Sequence, residues 1–124
     1  MNTPEIFINT FARRIRQATD KLHNNELAEA YKLIIDAISI NPDAPQPHNL
    51  LGIWFELKGN GDKARKHYRA AYALDPTFKP SCKNLERICT MNEYTYAHSY
   101  DFGDEPEKEN ITEKRNQSVE RSDN

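Results

Sequence analysis

The chain is predicted to be all-α, a short stack of helical hairpins, and three observations predict it. The first is a repeat: Ala30 and Ala64, Ala37 and Ala71, Ile40 and Leu74, and Pro42 and Pro76 all stand 34 residues apart. Periodicity of that length marks stacked helical pairs, each of which buries its apolar face against a neighbour. The second is apolar spacing at helical steps, as in Phe7, Phe11, Ile15, Ala18 and Leu22. The third is punctuation. Asn24-Asn25 and Gly59-Asn60-Gly61 fall midway through each unit as turns, and Pro42 and Pro76 follow helix ends. Residues 29–44 align with 63–78 without a gap, and the pattern begins a third time near Glu86 and stops.

Taken in order, the spacing predicts a first helix from Pro4 to about His23. Thr3 suits its N-cap, Pro4 its first turn and Glu5 the helix dipole. A second helix is expected from about Glu26 to Ile40. Its apolar face of Leu27, Ala30, Tyr31, Ile34, Ala37 and Ile38 is widened by Leu33, Ile35 and Ile40, so it should be the most buried. The third runs from about Gln46 to Lys58 and is buried through Leu50, Leu51, Trp54 and Phe55. The fourth runs from about Asp62 to Leu74, with Ala64, Tyr68, Ala71 and Tyr72 inward. The fifth follows Phe78 and ends near Met91, with Phe78, Cys82, Leu85 and Cys89 inward and Lys79, Lys83, Glu86 and Arg87 outward. Small residues such as Ala18 and Gly52 mark places where helices cross closely.

Composition sets the domain edge. The chain is hydrophilic on average, with a mean hydropathy of −0.90 and 29% charged residues. Residues 1–92 hold 13 Lys and Arg against 10 Asp and Glu, whereas residues 93–124 hold 4 against 9. A mildly basic helical body therefore precedes an acidic tail. The segment 93–102 carries Tyr94, Tyr96, Tyr100 and Phe102 at even positions, on one face of an extended chain. The residues after it hold too little apolar surface to offset ordering entropy and are expected to be disordered.

The N-terminus shows no secretory leader, and no stretch reaches the ~20 apolar residues of a membrane span. A cytoplasmic protein without membrane contact is expected, so the sequons at Asn110 and Asn116 carry no weight. Cys82 and Cys89 are two helical turns apart, ~10 Å, too far for a disulfide within one helix. They are read as two small hydrophobes of a buried stripe.

The residues Leu51, Gly52, Phe55, Gly59, Ala64, Tyr68, Ala71 and Pro76 follow one another without insertion in a pattern that resembles the tetratricopeptide repeat. The first unit shares Ala18, Ala30, Ala37 and Pro42 but has Gln17 and Lys21 where the family has apolar residues. The resemblance implies an α-solenoid of two hairpin units, about 11–44 and 45–78, closed by a C-terminal capping helix at about 79–91. This gives a helical domain over 1–92 and a flexible tail over 93–124. Repeat arrays need such a cap.

Catalytic patterns are missing. His23, His48, His67 and His98 are scattered, no phosphate loop is present, and no nucleophile turn stands out. The expectation is a non-enzyme with no cofactor and no metal site. The basic cluster Lys63, Arg65, Lys66 and Arg69 sits on a body of only small positive charge followed by an acidic tail. A basic face on one helix is usually just solvated, so nucleic-acid binding is a distant third reading.

The resemblance instead implies a protein-binding adaptor that holds a peptide or helix in a concave groove lined by the first helix of each unit. Carried onto this sequence, the groove residues are Gln46, Asn49, Ile53, Glu56, Leu57, Lys83 and Arg87. The first unit would add Ile15, Thr19, Leu22 and His23. Asn49 suits a peptide backbone, and Lys83 with Arg87 a carboxylate. Ile15, Thr19 and Leu50 occupy the places of the family's chaperone-tail clamp, which argues against that partner class.

Tyr94, Tyr96, Tyr100 and Phe102 would either cover the fifth helix or enter the groove as a built-in ligand. The competing expectation is a self-assembly module, a homo-oligomer stacked through Ile88, Met91 and the tyrosines.

Overall fold

The computed structural model describes residues 3–90 and 99–104 of the chain. Five helices pack on one another: α1 (Thr3–His23), α2 (Leu27–Ile40), α3 (Gln46–Leu57), α4 (Gly61–Leu74) and α5 (Lys79–Cys89). No strand occurs among the described residues. The helices α1 and α2 form one hairpin and α3 and α4 a second. The second hairpin meets α1 and α2 through α3 and meets α5 mainly through α4, with side-chain bonds from α3 as well.

The 34-residue spacing of the sequence is also a spacing of backbone hydrogen bonds. Inside the hairpins, Asn25 (φ 59°) and Gly59 (φ 79°) take the left-handed conformation. After each, the chain closes the preceding helix in the same way. The Glu26 N–H donates to the Lys21 carbonyl at 2.9 Å, and the Asn60 N–H to the Phe55 carbonyl at 2.8 Å. A left-handed residue followed by a bond spanning five residues satisfies carbonyls that the helix end leaves unpaired. Between hairpins, the Asn41 side chain accepts from the Asp43 N–H at 3.2 Å and the Asp75 side chain from the Thr77 N–H at 3.0 Å.

The core is built around α3, whose Pro47, Asn49, Leu50, Leu51, Gly52 and Ile53 are all buried. This corrects the expectation that α2 is the most enclosed helix. Only Ala30, Ile34 and Ala37 of α2 are buried, while Tyr31 and Ile35 face outward. The reason is position: α2 packs mainly on α1 and α3, whereas α3 packs on α1, α2 and α4. Tyr72 of α4 is likewise exposed rather than inward. Phe7, placed in the α1 stripe by its spacing, is exposed with Ile6 and Ile8. The 21-residue α1 is seven residues longer than the 14-residue α2, so its first ~10 Å runs past its partner.

Two helices, α3 and α4, approach closely at Gly52. A Cβ built there would meet the Tyr68 ring at 2.3, 2.6 and 2.8 Å, and Tyr68 is fully buried. Beside this contact, His48 and His67 place their Nδ1 atoms 3.4 Å apart, and Phe55 stacks on the His67 ring at 5.3 Å. Burial lowers the pKa of both imidazoles, and for His67 the His48 and Lys63 charges add to the effect.

Two outcomes follow. Gly52→Ala should destabilise the chain by about 1–3 kcal/mol, because the ring has nowhere to go. Thermal melting checks this, and an unchanged midpoint contradicts it. Burial disfavours protonation of His48 and His67 in the native state, while the unfolded chain protonates them near pH ~6.5. Stability should therefore be complete above that pH and fall as pH drops below it, through the lowered native pKa values. Urea midpoints between pH 7.5 and 5.5 report this slope, and His48→Gln/His67→Gln should flatten it.

Candidate functional site

Residues 99–104, Ser-Tyr-Asp-Phe-Gly-Asp, lie across α5, α3 and the end of α1. Three layers of contact hold them. The first is a clamp on the backbone N–H and carbonyl of Asp101. Its N–H donates to Asn84 Oδ1 at 2.8 Å, and its carbonyl accepts from Asn84 Nδ2 at 2.8 Å and from Asn49 Nδ2 at 2.9 Å. Asn84 Nδ2 also donates to Asn49 Oδ1 at 2.8 Å, which fixes the two amides relative to each other. Both asparagines are 0% exposed. Buried amides are costly unless paired, and here the paired group is the backbone of the segment itself.

The second layer grips the aromatic rings. The Arg87 guanidinium lies 5.0 Å from the Tyr100 ring centroid, and the His23 ring 4.0 Å from that of Phe102. Tyr100 and Phe102 meet edge to face at 6.2 Å, both against the core. The third layer turns the chain. Asp101 Oδ1 accepts from the Gly103 N–H at 3.0 Å, and Gly103 has φ 78°. A Cβ at Gly103 would come within 3.3 Å of Phe78 and 3.4 Å of Pro80. Beyond the turn, Asp104 reaches His23 Nε2 at 3.2 Å.

Beneath the segment lies a buried charge pair. Arg87 Nη1 and Nη2 donate to the two carboxylate oxygens of Glu56 at 2.9 and 2.5 Å, with side-chain exposures of 9% and 2%. Tyr68 Oη donates to the same carboxylate at 2.5 Å. Burial and the neighbouring Glu56 charge both raise the Tyr68 pKa, so the phenol is a donor throughout. Burial works against the Arg87 charge, but Glu56 more than offsets it, so its pKa is raised. The pair joins α3 to α5 and aims the guanidinium at Tyr100.

Of the groove residues expected from sequence, Asn49 touches the segment through its amide and Arg87 through its guanidinium. Ile53 is buried in the core, Leu57 packs against it, and Glu56 serves Arg87 rather than a ligand. Gln46 is partly buried, with Oε1 enclosed and unbonded, and Lys83 is partly exposed. The helical spacing also puts Arg87 on the outward face of α5, and its burial against Glu56 corrects that.

The inward face of α5 is Ser81, Asn84 and Ile88, one residue round from the expected stripe. Cys89 is exposed and Cys82 only partly buried, so they are not two members of a buried stripe. The shift arises because α5 is covered on two sides, by α4 and by the segment. Ile88, named for stacking between copies, is 4% exposed in a single chain. Of the tail aromatics, Tyr100 and Phe102 are described here, whereas Tyr94, Tyr96 and Met91 lie outside the described residues.

Asn84 is the functional-looking residue that sequence reasoning missed. Its signal is a place three residues after Ser81 and four before Ile88, on one face of the helix. His23 entered only through the first unit.

Among the described residues no group of three or more His, Cys, Asp or Glu could hold a metal ion, and no helix is long and apolar enough to cross a membrane.

No family model matches the chain. The curated E3 SUMO-protein ligase RanBP2 of human and that of chimpanzee (Pan troglodytes) are each 33% identical to it over 66 residues. That match takes in 53% of this chain but spans only 2% of those proteins' length. No solved structure matches.

Removing one member of the buried pair should be costly. Arg87→Met leaves the Glu56 carboxylate enclosed without its cation and should lose about 3–5 kcal/mol, while Glu56→Leu/Arg87→Met should recover most of it. Chemical denaturation of the single and double variants checks this. Equal loss in both would contradict a balanced pair.

Proposed function

We propose that the chain is a non-catalytic protein-binding module of the tetratricopeptide type, which receives an extended peptide in the groove along α1, α3 and α5. The observation that carries this reading is the clamp of Asn49 and Asn84 on the backbone N–H and carbonyl of Asp101. Two buried amides directed at a backbone N–H and carbonyl suit any extended chain, because every residue but proline offers that pair. The tetratricopeptide reading is supported by Leu51, Gly52, Ala64, Tyr68, Ala71 and Pro76, and by turns that repeat 34 residues apart. The partner on this reading is a segment of another protein, met in the cytoplasm.

Library selection tests it. Random peptides panned on the immobilised full chain should yield binders that are lost on Asn49→Ala, with the variant's fold verified by circular dichroism. Equal recovery from both proteins would sink the groove reading.

A further inference from the structure

We infer that the groove selects segments of the pattern aromatic, Asp, aromatic, Gly, acidic that turn at the glycine, and that the chain's own Tyr100–Asp104 is a resident competitor for that partner. The inference rests on the groove reading above and adds what the groove recognises.

Every position of the resident segment meets a specific group. The first aromatic lies under the Arg87 guanidinium, itself fixed by two bonds to Glu56. A fixed cation over a ring is attracted to the face of the π system, most strongly where water is excluded. The Asp contributes its backbone N–H and carbonyl to Asn84 and Asn49, and its carboxylate turns the chain by accepting from the glycine N–H. The second aromatic packs on His23.

The glycine is required twice. Its φ of 78° strains any L side chain, and Phe78 and Pro80 leave no comfortable room for a Cβ. The last acid meets His23 Nε2. The asparagine clamp reads backbone and so gives affinity without choice. The choice comes from Arg87, His23 and the Phe78–Pro80 wall.

Competition follows from tethering. Only residues 91–98 separate Thr90 from Ser99, so the resident segment meets the groove at the high effective concentration of a short linker. A partner must present the same contacts to displace it. A groove open one tenth of the time binds about tenfold more weakly than one always open.

The test uses the full-length chain and a labelled synthetic peptide, Ser-Tyr-Asp-Phe-Gly-Asp, followed by fluorescence anisotropy. Tyr100→Ala/Phe102→Ala should bind it at least about tenfold more tightly than the wild type, because the competitor is weakened. The same peptide with alanine for its glycine, or with scrambled order, should bind at least about tenfold more weakly. Gly103→Ala, which leaves both rings in place, is the second variant should the double one fail to fold, and it should also bind more tightly than the wild type.

Equal affinity for wild type and variants overturns the competition, and equal affinity for scrambled peptide overturns the selectivity. In both cases peptide still binds, so the groove reading stands. A variant that binds neither this peptide nor any library peptide overturns the groove reading and the inference together. A wild type that sediments as a dimer, and a double variant that sediments as a monomer, would assign the groove to a second copy and overturn the external partner.

Discussion

The contact between Gly52 and the Tyr68 ring is the constraint on which the rest of the structure hangs. It brings α3 and α4 close enough that the phenol, buried to its oxygen, reaches the Glu56 carboxylate one turn further along α3. That carboxylate then has one face committed to α4 and the other open to α5, where Arg87 meets it with both terminal nitrogens. A glycine thus governs the position of a guanidinium on another helix. Dispersion and shape set the distance, and hydrogen bonds of fixed length transmit it.

The second consequence is that α5 does not merely close the stack. A capping helix needs a polar outer face, but one side of α5 carries Ser81 and Asn84, both fully buried. The Asn84 amide is satisfied because residues 99–104 return to it with the Asp101 N–H and carbonyl, while the Ser81 hydroxyl donates to the Phe78 carbonyl. The segment brings two rings to the core, and its hold is polar at the centre and aromatic at the flanks.

Several elements were legible from sequence because their cause is local. Helix steps, the Asn25 and Gly59 turns and the proline stops each depend on a few adjacent residues, and the helices lie within a residue or two of the expected bounds. Asn49 was legible through its place in the repeat. Asn84 was not, since it stands one residue away from the repeat-derived Lys83 and is brought inward by the segment that covers α5. Phe7, Tyr31 and Tyr72 were misplaced for a related reason. Amphipathic spacing says which face of a helix is apolar, but the length and placement of the neighbouring helix set how far along that face is covered.

The sequence by itself determined an all-α stack of two hairpins and a fifth helix, because a 34-residue period with small residues at its crossings leaves little other way to bury the apolar faces. It also named the aromatic segment as something that must find cover. Only the tertiary structure decided where that cover is, which face of α5 turns inward, and that Glu56 and Arg87 hold each other rather than a ligand. Those outcomes depend on pairings across 31 residues for the ion pair and 52 residues for Asn49 with Asp101. Such partners are chosen by distance and burial in three dimensions, which no local spacing encodes.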